Sequence, residues 1–347
     1  MKGKMKGLIV EKDGSLAIRE VSIPEYNDCQ ALVKTLSCGV CNGTDAKLIH
    51  RKFKNFGPEL YPLMLGHEAV GEVVEIGSAV KTFKVGDRVL LPFAGPLDGY
   101  ECGWGSFSEY GVVCDPASWD ASKYGETPEC AFGQTVLSPD VDPVKGAMII
   151  TLREVLSSIK RFGMTANKSV VVFGCGPVGL TFIKFLSLLG ISPIVALDIV
   201  PQKLEDAKAN GADYAFMSND ADVREKIKHI IASGADFVLD AVGISAIINT
   251  AMPLIKDQGK ICCYGISPNL SYEIDWTDAP YNWQLQFQQF PSKVEEGEAH
   301  NQIMNWLRAG VINLDDYISD IIDFKDILTA FERLERRDIA KKCIIRY

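Results

Sequence analysis

The stretch covering residues 169–198 constrains the fold of this chain more than any other. Residues 169–173, SVVVF, are mostly apolar and rich in β-branched side chains, which is typical of a buried parallel strand. A glycine-rich turn follows, then apolar residues 180–189 that favour a helix, and then a second apolar strand at 194–197 that ends in Asp198. This order of strand, glycine turn, helix, strand and acid predicts the start of a doubly wound parallel sheet.

The glycines of the turn follow the pattern G-x-G-x-x-G, which indicates a dinucleotide site when this context surrounds it. Gly174 permits the tight turn, Gly176 lets the backbone approach a pyrophosphate, and Gly179 lets the helix pack closely on the sheet. The positive end of the helix dipole then faces the phosphates. Asp198 can accept hydrogen bonds from both ribose hydroxyls and would repel a 2′-phosphate, so we expect NAD(H) rather than NADP(H).

Further cofactor contacts are expected on the same turn and at the ends of later strands. Ligands of such sheets bind at the carboxyl ends of the strands. Lys203 begins the helix after Asp198, where a solvated lysine is the alternative interpretation. The predicted contacts are Pro177, Val178, Lys203, Val242, Gly243, Gly265 and Ile266.

Length and composition bound the class of protein. A chain of 347 residues exceeds one ordinary core, which predicts two domains. The net charge of −9, without a basic block, argues against nucleic acid or an anionic membrane as a partner. The apolar run after the basic N-terminus is too short for a signal peptide, and the ten cysteines show no disulfide-framework spacing. We therefore expect reduced thiols and a cytoplasmic location.

The rest of the chain falls into regions of different pattern. Many short strands with Gly and Pro turns predict a barrel-like β domain up to about residue 115. Alternating helix and strand over 170–266 predict the parallel sheet. The tail from Trp283 is predicted to be helical until a final strand, which could return to the first domain. The predicted domains are therefore residues 1–150 with 291–347, and residues 151–290.

Metal-ligating side chains cluster in two short pieces, CGVCNGTD at 38–45 and GHE at 66–68. Zinc takes cysteine, histidine and carboxylate ligands, and a catalytic site needs three of them and one open position. A metal there would polarise a carbonyl or lower the pKa of an alcohol beside the cofactor. The alternative is that Cys41 is a small buried hydrophobe and His67 a hydrogen-bonded histidine at a strand end.

With both pieces in view, the sequence resembles the zinc-dependent medium-chain dehydrogenases, the superfamily of alcohol, sorbitol and threonine dehydrogenases. The resemblance covers nearly the whole chain and includes GHEAVGEV, VGDRV, GSFSEY, GCGPVG and DAVG. It implies an α/β protein in which a GroES-like β-barrel catalytic domain encloses a Rossmann domain. It also implies that Cys41 and His67 bind zinc, with Glu68 beside the metal, either next to its ligands or exchanging with one of them.

The sequence departs from its relatives around the proton relay. Relatives usually have one residue between the zinc-binding cysteine and the Ser or Thr that relays the alcohol proton. Here two residues, Asn42 and Gly43, precede Thr44. Thr44 is still the expected relay, and Cys38 is a fallback zinc ligand.

The third metal ligand is a second departure. Relatives place an acidic residue or a cysteine on the helix entering the Rossmann domain, and an ungapped count from GCGPVG puts Ile150 there. Isoleucine cannot bind zinc, whereas Glu154 lies one helical turn later on the same face. We expect Glu154 to supply a carboxylate; the alternative is a solvated residue or a partner of Lys160 or Arg161. Residues 90–120 hold two cysteines rather than four, so no structural zinc is expected.

The sequence therefore predicts a zinc-dependent oxidoreductase that transfers hydride between NAD(H) and a secondary alcohol of a polyol or sugar derivative. One alternative is a zinc-free quinone or enone reductase on the same fold, and another is a non-catalytic NAD-binding protein. Relatives associate through the edge of the Rossmann sheet, so a homodimer or homotetramer is expected.

Overall fold

The computed structural model describes residues 3–267 and 269–347. The chain divides into two compact units. The first consists of Met1–Arg153 and Ser292–Tyr347, and the second of Glu154–Pro291. The first unit is thus discontinuous in sequence, because its last part follows the whole of the second.

The N-terminal part of the first unit consists of short strands with few helices. Its first two strands form a hairpin whose turn has Gly14 at φ +92°, a conformation that glycine adopts without steric cost. The strands are β1 Lys4–Val10, β2 Leu16–Ser22, β3 Gln30–Gly39, β4 Leu63–Met64, β5 Glu68–Ile76, β6 Arg88–Leu90, β7 Glu101–Cys102 and β8 Tyr110–Cys114. The helices are α1 Asn42–Ile49, α2 Ala121–Tyr124 and α3 Cys130–Gly133.

One long helix joins the two units. This helix, α4, spans Met148–Phe162 and passes the division between Arg153 and Glu154. Its first residues are apolar and fully buried, including Ile150. Lys160 is its first exposed residue.

The C-terminal part of the first unit adds two helices and two strands. They are α9 Lys293–Arg308, β15 Ile318–Asp323, α10 Ile327–Glu335 and β16 Lys342–Arg346. The strand β16 pairs parallel with β15 and antiparallel with β3. The end of the chain is therefore hydrogen-bonded to a strand from its beginning.

Two sheets make up the first unit. One has the strand order β2-β1-β4-β7, and the other has the order β15-β16-β3-β5-β6 with β8 also paired to β3. Buried side chains from both sheets, such as Ile9 of β1 and Leu32 of β3, belong to one hydrophobic cluster. This packing of short strands around an apolar interior matches the predicted GroES-like domain.

The second unit contains a six-stranded parallel sheet in the order β11-β10-β9-β12-β13-β14. Numbered within the unit this is 3-2-1-4-5-6, the order of a Rossmann domain, so the predicted fold class is confirmed. The strands are β9 Val170–Phe173, β10 Ile194–Asp198, β11 Tyr214–Met217, β12 Ala235–Asp240, β13 Ile255–Cys263 and β14 Trp283–Phe287. The helices are α5 Pro177–Leu188, α6 Pro201–Ala209, α7 Val223–Ile230 and α8 Ala246–Ala251.

The structure corrects the prediction of a helical tail from Trp283. Residues Trp283–Phe287 form β14, the last strand of the parallel sheet, and the helix begins only at Lys293. In this strand Trp283 and Leu285 pack against the hydrophobic core, while Gln284 and Gln286 alternate with them. An alternation with a period of two residues is typical of a strand.

Within the described residues, no helix combines the length and the apolar character needed to cross a membrane.

Candidate metal and cofactor sites

Three predicted metal ligands lie together in the first unit. One ligand atom each from Cys41, His67 and Glu68 lies within 4.8 Å of the other two. The sheet explains this proximity, because Gly39 at the end of β3 pairs with Glu68 at the start of β5. Cys41 lies just beyond that pair on one strand, and His67 lies just before it on the other.

Asp45 lies behind this cluster and was not predicted as a functional residue. Its carboxylate is wholly buried, accepts a hydrogen bond from the Cys41 backbone N–H at 2.9 Å, and lies 3.6 Å from Nδ1 of His67. Burial raises the pKa of Asp45 to about 6, against the opposing effect of the His67 charge. The separation between Oδ1 of Asp45 and Nδ1 of His67 is too long for a hydrogen bond, and neither atom has another hydrogen-bond partner among the described residues. The carboxylate can therefore act on the imidazole through its charge, and Nε2 is left for a metal.

Glu68 is held by two residues from distant parts of the chain. Nζ of Lys342 lies 2.7 Å from its Oε1 and 2.5 Å from its Oε2, and the Thr151 hydroxyl donates to Oε1 at 3.1 Å. Burial disfavours the charged carboxylate, but the Lys342 ammonium and then His67 outweigh burial, so the pKa of Glu68 lies below its ordinary value. The Glu68 carboxylate is therefore charged and fixed in direction.

The donor set of this cluster fits zinc. A thiol, an imidazole and a carboxylate are the side chains of zinc sites with one open position. Within residues 3–267 and 269–347, this is the one group of three or more potential ligands that lie close enough together to hold a metal. Cys38, the fallback ligand, is wholly buried and is not part of this group of three.

The structure places Glu154 outside that group of three. It is the first residue of the second unit, it is half-buried, and its backbone carbonyl accepts hydrogen bonds from the hydroxyls of Ser157 and Ser158. A metal-binding role for Glu154 remains a prediction.

Thr44 is bonded to the backbone of Cys41, and the ring of Trp104 lies against His67. Thr44 is buried in the first turn of α1, and its backbone N–H donates to the carbonyl of Cys41. The ring of Trp104 lies 5.2 Å from that of His67 and 6.0 Å from that of Phe56, measured between ring centroids. The imidazole therefore has a polar carboxylate on one side and an aromatic surface on another.

The glycine turn of the second unit has the geometry that a dinucleotide needs. Gly174 has φ +92°, and a Cβ on Gly179 would lie 1.9 Å from the Gly174 carbonyl oxygen, so neither position accepts a side chain. A Cβ on Gly176 would meet no atom within 4 Å. The turn is thus tightly packed behind and open at Gly176, at the N-terminus of α5, where a pyrophosphate can approach. Pro177 is the first residue of α5, and Val178 follows it half-buried.

Asp198 lies at the carboxyl end of β10, beside that turn. Its Oδ2 accepts a hydrogen bond from the Cys175 N–H at 2.7 Å, and its Oδ1 accepts one from the Val200 N–H at 2.9 Å. These two bonds fix the direction of the carboxylate. Lys203 lies in the first turn of α6 and is half-buried.

The other predicted cofactor residues follow β12 and β13. These strands are neighbours of β9 in a parallel sheet, so their carboxyl ends lie along the same edge as the glycine turn. Val242 and Gly243 donate backbone hydrogen bonds to the Asp240 carboxylate. A Cβ on Gly265 would lie 2.1 Å from the Gly243 nitrogen, so the two loops, including Ile266, pack backbone against backbone.

Four residues near the metal cluster were not predicted from the sequence: Asp45, Trp104, Thr151 and Lys342. Asp45 had a local signal, since it follows Thr44 directly and lies one helical turn after Cys41. Lys342 and Thr151 had none, because they lie 274 and 83 positions from Glu68.

Known protein families match parts of both units. Residues 27–124 match the alcohol dehydrogenase GroES-like domain family, and residues 177–288 match the zinc-binding dehydrogenase family. D-xylulose reductase of Saccharomyces cerevisiae is 30% identical over 274 residues, covering 75% of this chain and 76% of the yeast protein. Sorbitol dehydrogenase of Bombyx mori is 27% identical over 261 residues, covering 72% and 74%.

A solved structure supports the same assignment of fold. The alcohol dehydrogenase zinc-binding domain protein from Burkholderia ambifaria superimposes with a TM-score of 0.83 at 18% identity, covering 100% of this chain and 99% of that one. Both domain families, the yeast relative and the metal cluster indicate the same superfamily. The chain belongs to the zinc-dependent medium-chain alcohol and polyol dehydrogenase superfamily.

Proposed function

We propose that this protein oxidises a secondary hydroxyl of a polyol to a ketone with NAD, and catalyses the reverse reduction. The observation that carries the proposal is the group of Cys41, His67 and Glu68 in a chain that also has a complete dinucleotide turn. The relatives support the substrate class, since sorbitol and D-xylulose are acyclic and carry hydroxyls on neighbouring carbons.

In this proposal Cys41, His67 and Glu68 hold the zinc. When bound, the metal supplies Lewis-acid stabilisation of charge on the substrate oxygen. Asp45 acts on the His67 ring through its charge, and Lys342 with Thr151 fixes the Glu68 carboxylate. The Thr44 hydroxyl relays the proton of the alcohol.

The residues of the second unit bind and orient the cofactor. The N-terminus of α5 and the backbone at Gly176 receive the pyrophosphate, while Asp198 receives the ribose hydroxyls. The contacts after β12 and β13, namely Val242, Gly243, Gly265 and Ile266, border the nicotinamide. Hydride passes directly between substrate carbon and nicotinamide, so the protein contributes position and charge stabilisation.

A panel of polyols tests the function. With sorbitol, xylitol and butane-2,3-diol as substrates, we expect NADH to form with at least one, and NAD to be preferred over NADP by about 100-fold because Asp198 repels the 2′-phosphate. Removing zinc with a chelator should abolish turnover, and adding zinc should restore it. Chelator-resistant turnover would contradict the zinc mechanism, and NADH binding without turnover of any alcohol would favour a non-catalytic protein.

Metal content and position are a second prediction. We propose one zinc per chain, with Glu154 as a further carboxylate ligand. Elemental analysis should give one equivalent, and anomalous scattering at the zinc edge should locate it. Two equivalents would contradict the single site. A metal bound by Cys41 and His67 but distant from Glu154 would contradict the role of Glu154.

The zinc-free reductase and the non-catalytic protein are less well supported. The zinc-binding dehydrogenase match and the grouped metal ligands argue against both. A homodimer or homotetramer stays a prediction, which light scattering coupled to size-exclusion chromatography tests; a monomer would contradict it. A cytoplasmic location also stays a prediction, which fractionation of cells tests.

A further inference from the structure

The imidazole of His67 has no hydrogen bond that would fix its direction. Its Nδ1 is buried and has no hydrogen-bond partner within residues 3–267 and 269–347, and Oδ1 of Asp45 lies 3.6 Å from it. A hydrogen bond from a ring N–H to an oxygen spans about 2.7–3.2 Å between heavy atoms. A metal-binding histidine ordinarily donates its other ring N–H, and that bond sets the direction of the ring. In this site the direction has to come from packing.

The indole of Trp104 packs against this imidazole. The centroids of the two rings lie 5.2 Å apart, and the ring planes are inclined by 53°. Aromatic rings in contact have centroids about 4.5–7 Å apart. The indole also contacts Phe56, at 6.0 Å, and Phe56 contacts Phe53, at 5.4 Å. The indole is therefore itself supported by aromatic rings, and it can in turn support the imidazole.

Backbone hydrogen bonds hold the loop of Trp104 beside the loop of His67. Gly66 directly precedes His67, and its carbonyl accepts a hydrogen bond from the Ser106 N–H at 2.9 Å. The carbonyl of Trp104 itself accepts one from the Ala94 N–H at 3.1 Å. The two loops are thus joined next to the two rings, so the contact between the rings is anchored by the backbone on both sides.

Trp104 adopts a backbone conformation that is uncommon for a bulky residue. Its φ is +67°, in the left-handed region. Gly103 and Gly105 flank it, and a glycine at position 104 would adopt the same conformation without steric cost. Residues in strained conformations cluster at functional sites, where the surrounding structure maintains them. A tryptophan at this position therefore indicates a role for the indole.

We propose that Trp104 is a positioning residue, which holds the His67 imidazole in the direction needed to bind the metal. The inference rests on the proposed function, because it concerns the same metal group. Without the indole, the imidazole loses its aromatic contact, while Asp45 still acts on it only through charge. The ring then occupies several directions, and the affinity for the metal decreases with the fraction of time that it spends in the binding direction.

The zinc affinity of the purified protein tests the proposal in the absence of any alcohol. It is measured by competition with a chromophoric chelator at fixed pH. Trp104→Ala should lower the zinc affinity by about 10–100-fold, the range found when a residue that orients a metal ligand is removed. Trp104→Phe keeps an aromatic ring at the contact, and its zinc affinity should stay within about threefold of the wild type.

Trp119→Ala is the matched control. Trp119 is also half-buried in the first unit, and its ring lies 5.6 Å from that of Tyr124 with an inclination of 52°, nearly the geometry of the contact between Trp104 and His67. Both alanine variants should lower the free energy of unfolding of the metal-free protein, because each loses an aromatic contact. Only Trp104→Ala should also lower the zinc affinity.

Three results would overturn the proposal: an unchanged zinc affinity in Trp104→Ala, an equal loss of affinity in Trp119→Ala, or a loss in Trp104→Phe as large as that in Trp104→Ala. If Trp104→Ala does not fold, Trp104→Gly replaces it, because glycine suits the φ of +67°. A wild type that binds no zinc would instead be a failure of the proposed function.

Discussion

The Cys41→Ser variant is expected to lose bound zinc and to lose polyol oxidation by about a thousandfold or more, while it still binds NADH. Serine is a poor zinc ligand at neutral pH, and Cys41 is the one thiol in the group with His67 and Glu68. The dinucleotide turn belongs to the other unit and does not include Cys41. Elemental analysis, steady-state turnover and NADH fluorescence titration measure the three quantities separately.

Cys102→Ser is the matched control. Cys102 is also half-buried, lies in β7, and is absent from the metal group. It should keep the zinc content and turnover of the wild type. Normal turnover in Cys41→Ser, or an equal loss of zinc in Cys102→Ser, would contradict the assignment of Cys41 as the metal ligand.

The Lys342→Met variant is expected to lose about 3–5 kcal/mol in the free energy of unfolding of the metal-free protein. The Lys342 and Glu68 side chains are 8% and 1% exposed, and removal of the ammonium leaves the Glu68 carboxylate as a buried charge without its main counter-charge. Bound zinc would compensate the same carboxylate, so the loss should be smaller in the zinc form. Denaturant titrations with chelator and with zinc measure both values.

The surface pair Arg346 and Asp323 provides the control for that experiment. Its side chains are 52% and 42% exposed, and Arg346 is the last residue of the same strand β16. Exposed pairs contribute about 0–1 kcal/mol, so Arg346→Met should change stability little. Losses of similar size in both variants, or no zinc dependence for Lys342→Met, would show that Glu68 does not depend on Lys342 for its charge balance.

The parts of the fold that were predictable from sequence are those encoded in neighbouring residues. The strand, glycine turn, helix and second strand are contiguous, so hydrophobic period and glycine spacing specify them together. The two metal-ligating pieces, at residues 38–45 and 66–68, were also predictable, because each combines a rare residue type with a turn. The prediction of a helical tail from Trp283 was wrong, because residues 283–287 alternate with a period of two and pair with the distant strand β13.

What could not be predicted is the set of contacts between distant residues. Nothing near Glu68 in the sequence indicates Lys342, and the two meet because β16 pairs with β3, which also pairs with β5.

The sequence by itself determined the family, the parallel sheet and the dinucleotide turn from residues 169–198, because that turn is built by residues adjacent in the chain. Only the tertiary structure decided how the metal ligands are held. Asp45 behind His67, and Lys342 and Thr151 on Glu68, depend on strand and helix packing. Packing sets the distance between residues far apart in sequence, and those distances fix charge and direction in the site.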